Sequence, residues 1–472
     1  MHKSFLKTGF NKLGMSVALT LSSMLLTSVS ALAAGKLNEE ATEYLSDEAL
    51  PPRTQPLVEI GPKFLATGNI AKGFILPTGA VWTPSLWVHG NFRSGLQAYD
   101  DGINDDTTTE FANRLDLFAN LQFSGTERIV LGLTPLHDRD EGNFSGFIRQ
   151  NGGDTETINE FNLEIDTLFF EGDLAEIFPK WDYFDSSKND IGFTIGRQAV
   201  TFMDGFLIND NLDGIGFSKN NIRFPGNANI VNWRTSVFFG LDDVNRNDNV
   251  EDEDSTLYSW FNQIDTIKAT YNIDVVYVDG DETGDLLNVG VDTIRRFGKT
   301  SATFRAAFSS AIGDVTEQSD DGLLLFTELS WVPAYTHDNL YVNGFVAIDN
   351  FTSAARGALN GGALGRTGLL FAAQGIGSTP SPLSNRAREA VGVALGYQRF
   401  WNDKKTQLTL EVGGRADTSD DDLTGGDEYG ISLRLQDAIG HRSFWQIDGF
   451  ATDSSLTSGI EYGVRLELQI KL

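Results

Sequence analysis

The last thirteen residues of the chain, Ile460 to Leu472, alternate without a fault. Ile460, Tyr462, Val464, Leu466, Leu468, Ile470 and Leu472 take one parity, and Glu461, Gly463, Arg465, Glu467, Gln469 and Lys471 take the other. Successive side chains of a strand point to opposite faces, so the segment presents one wholly apolar face and one that is polar or small. A soluble sandwich strand alternates too, but it seldom carries charge on nearly every position of one face over such a length. The pattern predicts a strand of an outer-membrane barrel, with the apolar row towards lipid and the polar row towards water.

The other end reads as an export signal. Lys3, Lys7 and Lys12 precede an apolar run from Met15 to Leu26 and the small-residue site Ala31-Leu32-Ala33, so residues 1–33 are expected to be a signal peptide cleaved after Ala33. That run falls short of the roughly 20 residues a spanning helix needs, and no later run reaches that length, so a membrane-embedded chain must cross as strands. The chain contains no cysteine, which excludes a disulfide framework, thiolate metal sites and cysteine nucleophiles. Its formal net charge is −29, and the expected cleavage removes lysines but no acid. So acidic a chain argues against nucleic acid as a partner.

The acids gather at Asp100 to Asp106, Asp242 to Asp254, Asp279 to Asp285 and Asp417 to Glu428, between strand candidates. They read as solvated loops, or as loops bridged by divalent ions to lipopolysaccharide. Asp279, Asp281, Thr283 and Gly284 imitate the start of a calcium loop, but Gly290 stands at the twelfth position, where a glutamate is required, so no metal site is expected there.

If Leu472 lies on the periplasmic side, strand direction must alternate towards the N-terminus, with short connections inside and longer ones outside. Strands are expected at 443–451, 428–436, 405–415 and 388–400 before the last one, joined on the short side by Asp437 to His441 and Asn402 to Lys404, with 416–427 on the long side. Upstream they fall near 339–350, 322–332, 300–311, 285–296, 268–278, 256–265, 229–240, 211–219, 189–199, 161–172, 127–136, 110–123 and 84–98, which makes about 18, an even number as expected of a single-chain bacterial barrel. The expected fold is therefore an all-β transmembrane antiparallel barrel over 84–472. Residues 34–83, with Pro51, Pro52, Pro62 and Pro77, lack alternation and read as an N-terminal segment on the periplasmic side or in the barrel mouth. A barrel this wide cannot be filled by its own wall side chains and leaves an aqueous lumen unless loops obstruct it, which points to transport.

Register assigns the lining. On 84–98, Leu86, Val88, Phe92 and Leu96 face lipid, leaving His89, Asn91, Arg93 and Gln97 inside; on 110–123, Arg114, Asp116, Asn120 and Gln122 face in. The same parity turns Arg234, Arg305, Arg415, Arg434 and Arg465 inward, together with Glu164, Asp166, Asp274, Glu411, Asp448 and Glu467. This mixed lining is either a solvated wall held by ion pairs or an arginine track that guides anions. The connection from Phe351 to Arg388 bears on the choice. It is rich in Gly, Ala and Leu, carries Arg356, Arg366, Arg386 and Arg388, and has no acid before Glu389. Either it is exposed, or it folds inward and makes a constriction favourable to anionic solutes.

The stretch Ile191 to Gln198, ending in Gly196-Arg197-Gln198 and followed by Asp204, Asn209, Asp210, Asn211 and Asp213, resembles the alginate-export class of bacterial outer-membrane porins. The neighbouring Thr167 to Glu171 and Asn232 to Arg234 segments occupy comparable places. The resemblance covers about a quarter of the chain and implies a wide barrel of about 18 strands conducting a polyanion or other solute. Two features depart from it: the expected lining is mixed rather than cationic, and Arg197 shares the parity of Ile191, Phe193 and Ile195. Either Gly196 introduces a bulge that re-aims Arg197, or the arginine sits at the rim.

The functional expectation is a passive outer-membrane porin for small solutes, anionic ones if the arginines guide them, with an exopolysaccharide export channel as the alternative. Its partners would be outer-membrane lipid, lipopolysaccharide through divalent ions, the barrel-assembly machinery through the C-terminal strand, and the solute; no cofactor is expected. A barrel enzyme is poorly served. His89, His137, His337 and His441 are scattered, no Gly-x-Ser-x-Gly elbow accompanies them, and no two have ligand spacing.

Overall fold

The computed structural model describes residues 55–61, 73–102, 107–138, 142–150, 153–181, 189–224, 226, 229–242, 244–246, 250–419 and 426–472; the expected signal peptide lies outside them. Eighteen antiparallel strands close into a barrel. In chain order they are β1 Ser85–Asp100, β2 Thr107–Gln122, β3 Arg128–Leu133, β4 Ile165–Asp173, β5 Ile191–Phe202 and β6 Ile208–Ile222. Next come β7 Ile230–Asp242, β8 Thr256–Thr266, β9 Ala269–Asp279, β10 Asp285–Phe297, β11 Thr300–Ile312 and β12 Gly322–Trp331. The last are β13 Asn339–Asn350, β14 Arg388–Trp401, β15 Thr406–Asp417, β16 Glu428–Ile439, β17 Ser443–Ser454 and β18 Ile460–Lys471. Each expected strand has its counterpart, the expected 211–219 being the lower part of a longer one.

Closure joins the two ends of the wall. β18 pairs with β1 from Tyr462↔Asp100 to Lys471↔Asn91, so every strand has two neighbours and no long edge is left to pair with another chain. The outward row of β18 is exposed as its parity requires, with Val464 at 55% and Leu466 at 49%, and Ile431 and Val412 continue that apolar surface on β16 and β15. Among the described residues no helix is long and apolar enough to cross a membrane.

Connections at the end holding Ser85 and Lys471 are tight. β8 to β9 needs only Ile267 and Lys268, and β10 to β11 only Gly298 and Lys299. Between β14 and β15, Asn402, Asp403 and Lys404 all adopt positive φ, a left-handed run that reverses the chain at once. The β16 to β17 turn is Gly440 to Arg442, shorter than the expected Asp437 to His441, because Gly440 alone supplies the positive φ and Asp437, Ala438 and Ile439 stay in the ladder. At the opposite end the connections are longer. Ser145–Arg149, within the β3 to β4 connection, pairs with Thr109–Asn113 and prolongs the wall above the short β3.

The inner face is not uniformly polar. Phe238, Leu257, Val276, Leu286, Leu324 and Phe345, on β7 to β10, β12 and β13, are buried in one apolar cluster with residues of two connections that enter the barrel. Burying a side chain of this size contributes about 1.5–3 kcal/mol, so these contacts are a main reason the connections turn inward.

Candidate channel constriction

The first inward connection runs from Phe351 to Ala387, between β13 and β14. Its small residues let the backbone fold tightly: Gly361, Gly368, Gly375 and Gly377 take positive φ, and Leu364, Leu370, Phe371 and Leu383 are buried. Polar groups of the wall then hold its backbone. Glu411, wholly buried on β15, accepts the amide N–H groups of Leu369 at 3.0 Å and Leu370 at 2.9 Å and the hydroxyl of Tyr341. Glu110 on β2 accepts the amide and hydroxyl of Ser378, and Glu428 the amide of Ser384. Arg93 and Arg114 donate to the carbonyl of Gly375 at 3.2 and 2.9 Å, and Arg415 donates to the carbonyls of Ser384 and Arg386. The connection is thereby tied to β1, β2, β15 and β16, with Tyr341 of β13 bracing Glu411.

The second is the tip of the β5–β6 hairpin. β5 pairs with β4 only as far as Arg197↔Leu168, and β6 with β7 only as far as Asp213↔Asp242, while the hairpin's own ladder continues to Phe202↔Ile208. The free arms leave the wall at the paired glycines Gly196 and Gly214. Gly196 has φ of 120°, and a Cβ there would collide with the Leu168 carbonyl oxygen; a Cβ at Gly214 would collide with that of Phe239. Across the lumen, Gly290 makes room for the tip, since a Cβ there would lie 2.7 Å from Leu207 Cδ1 and 2.8 Å from Met203 Sδ. Ile208 and Asn209 pair in parallel with Ala355 and Arg356, and the buried Arg356 donates to the Gly205 carbonyl, which stitches the two inward segments together.

Where they meet lies a small charged constellation. Arg305 of β11 sits back in the wall over the adjoining rings of Phe206 and Phe326, each 5.4 Å from its guanidinium carbon, and pairs with Asp204 and, at 3.7 Å, with Glu328. The arginine side chain is only 6% exposed, whereas Asp204 and Glu328 are 68% and 46% exposed, so the acids meet the water. Arg366 packs its stem against Gly205 and is exposed; among the described residues no carboxylate pairs with it. A cavity of about 510 Å³ lies on one side of Asp204 and Arg305, lined by Ser218, Arg234, Asn262, Asp274 and Asp292 among others. A second, of about 360 Å³, lies on the other side and includes Glu328, Tyr341, Asn343, Arg366 and Gln398.

The remaining charged residues singled out by register fall into wall clusters. Arg93 pairs with Glu467 at 2.6 Å, Arg114 with Asp116 at 2.9 Å, and Arg434 and Arg465 both with Asp448 at 2.6 Å. Arg234 is exposed and donates to Asn220. Glu411, Glu467, Arg415 and Arg465 are buried, because the inward connection and the neighbouring side chains cover them. Arg388 starts β14 opposite Asn350 rather than belonging to the connection, and Arg386 is exposed beside it. Arg197 keeps its pairing with Leu168 and donates to Asp213 at 3.0 Å at the hairpin hinge; the bulge lies on the other arm, between Asp213 and Gly214. Above the hairpin, Arg246 is buried and binds Thr283, Gly284, Gln318 and Ser319, burial lowering its pKa to about 10. Among the described residues no group of three metal-ligating side chains converges.

No family model and no curated protein matches the chain. Solved structures do. The chain is similar to Pseudomonas aeruginosa OccK5 (OpdH), with a TM-score of 0.54 at 11% identity over 82% of this chain and 98% of that one. It is similar to Pseudomonas aeruginosa OccK2 (OpdF) in complex with glucuronate, at 0.53 and 11% over 85% and 99%, and to Pseudomonas aeruginosa OprD, at 0.53 and 9% over 85% and 97%.

The fold is that of a bacterial outer-membrane porin.

The likeness supports a bacterial outer-membrane porin, and gives no support to the finer, alginate-export reading of Gly196 to Gln198. In this porin barrel those three residues mark the hinge of the inward hairpin. The alternation, which ends one strand at 199 and begins the next at 211, does not reveal that hairpin. The available signal was the apolar run Phe202, Met203, Phe206, Leu207 and Ile208, out of character for a solvated connection, bracketed by Gly196 and Gly214.

Proposed function

We propose that this chain is a channel of a Gram-negative outer membrane that passes small solutes by passive diffusion, with preference for those bearing a carboxylate. The observation that carries the reading is the junction of the two inward segments, where Arg366 stands exposed opposite the water-facing Asp204 and Glu328. A solute crossing from one cavity to the other must pass charges of both signs, so its own carboxylate would be drawn to Arg366 and kept from the acids. The glucuronate bound by OccK2 is a small sugar carboxylate, which supports the class of solute. Two segments dividing the lumen favour small solutes over a polymer such as alginate. Arg234, with the partly exposed Arg93, Arg114, Asp116 and Arg434, would serve as charged walls, while the buried Arg465 and Glu467 would act as struts behind them.

Reconstitution tests this. The purified, folded protein in planar bilayers should conduct, and under a salt gradient Arg366→Ala should move the reversal potential towards cation preference. Liposome swelling with glucuronate should slow more than swelling with a neutral sugar of similar size. A folded protein that passes neither ions nor solutes would overturn the channel reading, and an unchanged preference in Arg366→Ala would remove the residue's part in it.

A further inference from the structure

The chain before β1 forms two small additions to the barrel foot. Val58–Ile60 pairs antiparallel with β1, Val58 opposite Val88 and Ile60 opposite Leu86. This places it on the edge of β1 that β18 leaves vacant, for β18 ends where Leu472 and Gly90 exchange backbone hydrogen bonds. Val58 and Ile60 therefore take the parity of the outward-facing Leu86 and Val88, and they prolong the lipid-facing row of β18 beyond Leu472. Arg442, in the β16 to β17 turn, donates to the carbonyl of Gln55 at 2.8 Å and holds the segment's start.

The second addition is a hairpin, Phe74–Ile75 against Val81–Trp82. Trp82 stacks on Phe123, at the foot of β2, with ring centroids 4.5 Å apart, and the Thr83 amide donates to the Phe123 carbonyl at 2.7 Å. The hairpin is thus anchored below β1 and β2, yet more than half of the surface of its other apolar side chains is uncovered: Phe74 is 51% exposed, Ile75 75% and Val81 54%. Beside it, Gly79 approaches Pro179, and Trp181 is exposed while stacked on Phe178. Apolar and aromatic side chains at this level of a barrel match the girdle that sits where acyl chains give way to headgroups.

We infer that residues 57–61 and 73–82 form an interfacial collar that inserts Phe74, Ile75 and Val81 into the periplasmic leaflet of phospholipid, extending the apolar belt at the β1–β18 seam. The occupant follows from continuity: the register carries the lipid-facing row directly into Val58 and Ile60. The inference is independent of what the channel passes.

Because the chain has no cysteine, a single Ile75→Cys can carry an environment-sensitive fluorophore in full-length protein reconstituted into phosphatidylethanolamine and phosphatidylglycerol vesicles. Leu466→Cys on the belt and His441→Cys on a turn at the same end serve as lipid and water references. Heat-modifiable migration verifies folding of each. The label at position 75 should be quenched by acyl-brominated lipid and shielded from iodide, as at 466. Quenching by iodide as strong as at 441, without loss to brominated lipid, would overturn the collar. So would shielding that appears only at high protein density, which would instead assign the surface to a second copy. Should Ile75→Cys not fold, the label at Val81→Cys gives the same reading.

Discussion

Glu411 is the carboxylate whose loss should loosen the constriction most. It is wholly buried and receives two backbone amides and one phenol from Leu369, Leu370 and Tyr341. In Glu411→Ala those three donors lose their partner in a covered site, at about 1–3 kcal/mol each. The desolvation of the carboxylate itself offsets part of this, leaving about 2–4 kcal/mol against the docked state of residues 351–387. That corresponds to an about 30- to 700-fold rise in the undocked fraction. The wall ladders do not involve this side chain, so the barrel should still form. Single-channel recording is the assay: the variant should show frequent excursions to a higher conductance, and limited proteolysis should cut between Gly361 and Gly377 faster than in the parent. Gln at the same position, which keeps one acceptor oxygen, should fall between. A folded Glu411→Ala protein with parental conductance, noise and protease resistance would refute the claim that this carboxylate holds the connection in the lumen.

Gly196→Val should destabilise by about 1–3 kcal/mol, since a branched residue is forced to a positive φ against the Leu168 carbonyl, and the apparent unfolding temperature should fall while the hairpin's entry becomes incomplete. Asp338, in the turn between β12 and β13, accepts the Tyr397 hydroxyl and, at 3.1 Å, the Phe400 amide, and these hydrogen bonds hold its pKa below the ordinary value of 3.8. Its contribution to stability is therefore present above that value and is lost as pH falls through the lower, folded-state one. The gap in unfolding temperature between the parent and Asp338→Asn, measured from pH 7 downward, should close only at the acid end.

The wall was legible because a lipid-facing strand writes its geometry into every second residue. β18 and β1 show it fully: Leu466 and Leu96 face out, Arg465 and Gln97 face in, and the two strands pair in that register. The signal weakens where the inner face packs against protein instead of water. On β12 the run Leu323, Leu324, Leu325 and Phe326 erases the alternation, and Leu324 and Phe326 are buried against the inward segments. The same holds for Val275, Val276, Tyr277 and Val278 on β9. The cationic, glycine-rich character of residues 351–387 marked them as special, but composition left open whether they were exposed or folded inward. Which arginine ends at water and which becomes a strut depends on partners distant in sequence: Arg356 and Arg366 lie ten positions apart in one connection, yet one is buried on Gly205 and the other is exposed.

The apolar cluster inside one flank of the barrel divides the wall into two kinds of terrain. Where Phe238, Leu257, Leu324 and Phe345 meet the inward segments, a change of one methyl group is felt as it would be in the interior of a water-soluble domain. Around the larger cavity, Ser218, Ser236, Asn220 and Gln263 are held by single hydrogen bonds, such as those from Ser236 to Ser218 and from Arg234 to Asn220, rather than by apolar packing, and an exchange there opens no void. New solute preferences can therefore arise by drift along the second terrain while the first keeps the shape of the passage.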